Sequence, residues 1–116
     1  MYNYTMVDNE NLEFVTVATV GELGNGDRLI LEVGGEAIAV FNIAGQYFAI
    51  SDVCSHDDGP VAEGELREYE LECPRHGARF DLRSGKVLSL PAVVDIPAYP
   101  VRVLGDEIQV GLPAEG

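Results

Sequence analysis

Short runs with strand-like alternation of apolar and polar positions recur along this chain, separated by glycine-rich turns. Residues 13–18 (Glu-Phe-Val-Thr-Val-Ala) alternate in part and are rich in β-branched side chains. Arg28 to Val33 and Glu36 to Ile43 flank Gly34-Gly35, a two-residue loop whose glycines tolerate the positive φ of a primed hairpin turn. Ala44-Gly45 then turns the chain into Gln46 to Ser51. Glu68 to Glu72 reads as one strand, and Arg79 to Leu82 and Lys86 to Ser89 flank Arg83-Ser84-Gly85 as a hairpin. Tyr99 to Leu104 and Glu107 to Gly111 form a last hairpin around Gly105-Asp106. Helical periodicity is nearly absent. One turn at Val20 to Leu23 is the best candidate, with Thr19 as its cap and Glu22 at the third helical position.

This pattern predicts an all-β, antiparallel sandwich or small barrel. The segment from Asp52 to about Leu82 interrupts the strand order and reads as a lobe inserted into that scaffold. The length suits one domain, expected over residues 12–116, with residues 1–11 as a loose, polar N-terminal tail. No apolar run approaches the roughly 18 to 20 residues that a membrane span needs. The N-terminus has neither the basic region nor the apolar stretch of a secretory signal, so a cytoplasmic address is expected.

A formal charge of −13 changes the picture of partners. It argues against nucleic acid and anionic membranes, which attract positive charge, and it suits either plain solubility or steering toward a basic protein. The charge is uneven. Eight acidic residues lie between Asp52 and Glu72 against the single Arg67. From Arg75 to Lys86 the sign reverses, with Arg75, Arg79, Arg83 and Lys86 facing only Asp81.

The candidate chemistry lies in two clusters, Cys54-Ser55-His56 and Cys73-Pro74-Arg75-His76, which hold both cysteines and both histidines of the chain. Each is a Cys-x(1–2)-His pair, able to aim a thiolate and an imidazole at one point. Two soft sulfurs and two borderline nitrogens suit zinc or iron–sulfur chemistry rather than calcium or magnesium. A single disulfide is a further reading, but it leaves the neighbouring histidines unexplained. Zinc accepts a Cys₂His₂ set, yet finger spacing usually puts two cysteines in one pair and two histidines in the other. A [2Fe–2S] centre in which histidines replace cysteines on one iron accounts for the mixed pairs more directly.

The surrounding residues strengthen that reading. The stretch from Tyr47 to Pro60, then Glu63-Gly64, then Cys73 to Gly85 and then Leu90-Pro91 together resemble a Rieske-type ferredoxin. The resemblance is to the ferredoxin component of bacterial multicomponent ring-hydroxylating dioxygenases, and it covers most of the chain. It implies a Rieske-type antiparallel β scaffold carrying one [2Fe–2S] cluster. Cys54 and Cys73 would hold the inner iron and His56 and His76 the outer. Pro91 would sit in a loop covering the cluster from a third side. Rieske proteins of respiratory complexes resemble this pattern with two further cysteines bonded together. Here Gly59 and Arg75 occupy those places. The hydroxyl donors that such proteins aim at cluster sulfur correspond to Ala78 and Phe80, which have none. Losing donors that favour the reduced state predicts a low potential for this class.

The implied function is one-electron transport, from a flavin-dependent ferredoxin reductase to a terminal ring-hydroxylating oxygenase, by a monomeric carrier. No histidine remains for a catalytic iron held by two histidines and a carboxylate, and Gly21 to Gly26 lacks the βαβ context of a nucleotide loop. The chain is therefore expected to be a carrier and not an enzyme. A small Rieske-like subunit of a nitrite reductase and a zinc-binding interaction module are the alternatives. Asp57 and Asp58 read as turn formers that could also contact a partner. Tyr47, Phe48 and Phe80 read as core aromatics.

Overall fold

The structure is a computed structural model that describes residues 12–33, 35–53, 59–74, 77–90, 92 and 94–113. Ten strands follow in chain order: β1 (Leu12–Thr19), β2 (Arg28–Val33), β3 (Glu36–Ile43), β4 (Gln46–Ser51), β5 (Leu66–Arg67), β6 (Glu70–Glu72), β7 (Arg79–Asp81), β8 (Ala98–Tyr99), β9 (Val101–Leu104) and β10 (Glu107–Pro113). They form three antiparallel sheets, ordered β1-β10-β9, β2-β3-β4-β8 and β5-β6-β7. No helix occurs among the described residues. None is therefore long and apolar enough to cross a membrane.

β3 explains the layering. Five successive residues, Ile38 to Asn42, are buried, so both faces of this strand are covered. Because side chains alternate, Ile38 and Val40 enter one core with Ile108, Val110 and Leu112 of β10. Ala39 and Phe41 enter a second core with Leu71, Phe80 and Leu82 of the lobe. The β2-β3-β4-β8 sheet thus lies between the β1-β10-β9 sheet and the lobe. Each large side chain fully buried in either core contributes roughly 1.5–3 kcal/mol of transfer free energy.

The β2–β3 and β3–β4 hairpins form as predicted, with φ +85° at Gly35 and +86° at Gly45. Ala44 also takes a positive φ of +55°. Its amide donates to the Asn25 side chain (2.7 Å), and that of Gly45 to the Asn42 side chain (2.9 Å), which hold the turn. Three expectations are corrected. The run from Glu68 to Glu72 is not one strand: Glu68, at φ +56°, turns the chain between β5 and β6. Lys86 to Ser89 makes no strand, and only Val87 bridges to Phe80. Tyr99 to Leu104 is split at Pro100, which has no N–H to give a ladder. β8 pairs with β4 and β9 with β10, so the split moves the chain from one sheet to another.

At Val20 to Leu23 there is a turn and no helix. The Thr19 amide donates to the Glu22 carboxylate (2.8 Å) and the Glu22 amide to the Thr19 carbonyl (3.0 Å). Gly24 and Gly26 follow at once and leave no room for a second turn.

Candidate metal centre

Of the five residues predicted for the site, Cys73 lies within the described residues; Cys54, His56, His76 and Pro91 lie outside them. Among the described residues, no group of three His, Cys, Asp or Glu side chains could hold a metal ion alone.

Cys73 directly follows β6. It is 1% exposed and a free thiol. Its backbone is fixed from both sides. The Cys73 amide donates to the Ala78 carbonyl (2.7 Å), and the Cys73 carbonyl accepts from the Gly77 amide (3.0 Å). Gly77 takes φ +79°, a conformation that other residues adopt only with strain. These bonds close the stretch from 73 to 78, in which residues 75 and 76 lie outside the described ones. Around Cys73 the same core gathers Val61, Ala62, Ala78, Phe80, Ala92 and Ile96. The chain's two cysteines and two histidines are a donor set of the chemistry that a Rieske [2Fe–2S] centre takes, and its two thiolates would bring two negative charges to the irons.

The segment after the lobe is anchored beside this core. The Val87 amide donates to the Asp95 carboxylate (2.7 Å) and the Ile96 amide to the Gly85 carbonyl (2.8 Å). The Arg79 amide donates to the Ser89 hydroxyl (3.0 Å). Ala92 packs into the Cys73 core, while Leu90 beside it is 75% exposed. Leu88 and Val94 are also exposed, giving this segment an apolar outer surface.

Arg79 is paired across strands on the lobe, and Arg83 is paired locally. The Arg79 guanidinium lies 3.5 Å from the Glu72 carboxylate and 3.9 Å from that of Glu70. Arg83 makes a two-pronged contact with Asp81 (3.0 and 2.9 Å) and covers the Tyr69 ring. Hydrogen bonding from Arg83 holds the Asp81 carboxyl below its ordinary range. Arg79 therefore has partners on β6; Asp57, Asp58 and Arg75 lie outside the described residues. Phe80 is a core residue as predicted. Phe48 packs on the same core and meets Tyr69 edge-on (5.6 Å), whereas Tyr47 packs on the opposite one. Gly24 and Gly26 belong to a loop tied to Asp27 and Asn42.

Two residues that frame this centre carry no signal in the sequence. Arg28 reads there as the first residue of a strand, and Asp52 as one more acid in an acidic stretch. Both contact the segment between the two Cys-x-His clusters.

The sequence matches the family described as Rieske [2Fe-2S] domain over residues 13–100. It is 40% identical over 96 residues to the biphenyl 2,3-dioxygenase ferredoxin component of Rhodococcus jostii (strain RHA1), covering 83% of this chain and 90% of that protein. The ferredoxin of carbazole 1,9a-dioxygenase from Nocardioides aromaticivorans IC177 has the same fold. It superposes with a TM-score of 0.79 at 37% identity, over 84% of this chain and 95% of that one. A chain from the complex of reduced oxygenase and oxidized ferredoxin in carbazole 1,9a-dioxygenase superposes at 0.80 with 27% identity, over 88% and 95% of the two chains. With its buried Cys73, its three antiparallel sheets and these likenesses, the chain belongs to the Rieske [2Fe–2S] family as a ferredoxin, an electron carrier rather than an oxygenase.

Proposed function

We propose that this ferredoxin carries single electrons in the cytoplasm from a flavin-dependent reductase to the terminal oxygenase of an aromatic-ring dioxygenase system. Cys54 and Cys73 would hold the inner iron and His56 and His76 the outer, with Pro91 in the covering loop. The observation that carries the reading is the 40% identity to a dioxygenase ferredoxin component over nearly its whole length. The complex described for carbazole 1,9a-dioxygenase, of an oxygenase with its ferredoxin, supports the oxygenase as acceptor. The nitrite reductase and zinc-module readings have no comparable support.

When bound, the [2Fe–2S] cluster supplies a one-electron couple. The chain's own residues set the conditions for its use. Ala62, Ala78, Phe80 and Ala92 exclude water from the Cys73 side. Leu88, Leu90 and Val94 offer an apolar contact beside the covering loop, and Glu63, Glu65, Glu68 and Glu70 lie exposed on the lobe. An interface of this kind docks weakly and releases quickly, as a shuttle requires.

Two expectations test the proposal. Electron transfer to the oxygenase, followed by stopped-flow absorbance, slows about tenfold or more as ionic strength rises from low to moderate, because exposed charges are screened over roughly 8–10 Å. A rate indifferent to salt contradicts charge steering. The midpoint potential lies near about −150 mV, the low end for this class, because Ala78 and Phe80 bring no hydroxyl to the cluster sulfurs. Ala78→Ser or Phe80→Tyr raises it by roughly 40–60 mV, equivalent to about 1–1.4 kcal/mol of added preference for the reduced state. A parent midpoint well above zero contradicts this.

A further inference from the structure

Two scaffold charges grip one turn of the lobe from opposite ends. The turn runs from Val61 to Gly64, closed by the Gly64 amide donating to the Val61 carbonyl (3.0 Å). At its start, the amides of Val61 and Ala62 both donate to Oδ1 of Asp52 (2.8 and 2.7 Å). At its end, Nη1 of Arg28 donates to the carbonyls of Ala62 and Gly64 (both 2.7 Å). The negative charge meets the N–H end of the turn and the positive charge its C=O end, so each bond is charge-assisted. Arg28 opens β2, and Asp52 directly follows β4 with its amide donating to the Ala37 carbonyl of β3 (2.9 Å), so both are anchored to the scaffold sheet. The Arg28 guanidinium also rests over the Phe41 ring at 5.3 Å.

The far side of the turn leads to the metal centre. Gly64 lies so close to Glu72 that a Cβ there would stand 1.7 Å from its carbonyl oxygen. The Glu72 amide donates to the Glu65 carbonyl (2.9 Å), just after the turn. Cys73 is the next residue. A continuous path of backbone contact therefore runs from two charged scaffold side chains, through one turn, to the residue before the buried thiol. The other Cys-x-His cluster ends five residues before Val61.

We propose that Arg28 and Asp52 are positioning residues for the cluster, holding the lobe in the register that brings the two ligand pairs together. Their bonds to backbone groups cost the burial of one charge, Asp52 being only 9% exposed, and partial burial of the other, Arg28 being half-buried. A purely structural need for this turn is met at lower cost by apolar packing. The inference rests on the four-ligand reading above.

The test uses the holoprotein and measures iron release to bathophenanthroline disulfonate together with the electron paramagnetic resonance of the reduced state. Arg28→Gln and Asp52→Asn each release iron at least tenfold faster and broaden the resonance lines. Arg28→Lys keeps the charge and donor capacity, and releases iron more slowly than Arg28→Gln. Val110→Ala, in the core on the other face of the central sheet, serves as the comparison: it lowers overall stability and leaves the line shape unchanged. Unaltered release and lines in both charge variants would overturn the proposal. So would acceleration by Val110→Ala equal to theirs at the same loss of stability, or failure of Arg28→Lys to improve on Arg28→Gln. A parent protein that binds no iron overturns the ligand reading itself, and the clamp with it.

Discussion

Replacing Cys73 by alanine is expected to yield a colourless protein with no bound iron. The thiol is nearly sealed from solvent, and its backbone is tied to Gly77 and Ala78. No other cysteine exists to take its place except Cys54, which is already assigned. Loss of one thiolate leaves three protein donors for two irons and removes half the negative charge that the protein's ligands bring to them. The core of Ile38, Val40, Ile108 and Val110 does not include this residue, so the β-sheet circular dichroism should persist. The unfolding midpoint falls because the binding free energy of the cluster no longer favours the folded lobe. Full retention of iron in the variant would remove Cys73 from the ligand set.

Gly64→Ala is expected to be among the most damaging substitutions outside the ligands. The added methyl would lie 1.7 Å from the Glu72 carbonyl oxygen and 2.8 Å from its carbon, both backbone atoms that no rotamer change can move. Either the Val61–Gly64 turn leaves Asp52 and Arg28, or Glu72 leaves its place beside Glu65 and shifts Cys73. Overpacking against fixed backbone costs about 3 kcal/mol or more, which lowers the thermal midpoint by roughly 10 °C or more. Gly21→Ala is the control, since nothing lies within 4 Å of a Cβ there and its φ is unremarkable. It should stay within about 0.5 kcal/mol of the parent. Equal midpoints for the two variants would refute the close approach at Gly64.

The strands that obey local rules are legible in the residue pattern itself. β2, β3 and β4 follow from alternation and from glycine turns, because pairing with sequence neighbours needs no distant information. The failures have other causes. The β5–β6 hairpin turns at Glu68-Tyr69, where Glu68 takes a positive φ with no glycine to mark it. The break at Pro100 is visible as a residue, but not as a transfer between sheets, since β8 pairs with β4, about fifty residues back, while β9 pairs with its neighbour β10. At the site, the mixed Cys-x-His pairs signal the chemistry through residue type and spacing. Arg28 and Asp52 do not, because their role is bonding to backbone 9 to 36 residues away, which leaves no pattern in side-chain identity.

Whether the two clusters hold one Rieske [2Fe–2S] centre is tested most directly by counting iron and acid-labile sulfide in the purified protein, with visible absorption and electron paramagnetic resonance on the same sample. The expected result is a coloured protein with about two irons and two sulfides per chain, and a reduced-state resonance characteristic of mixed sulfur and nitrogen ligation. A colourless protein with one zinc per chain would contradict it.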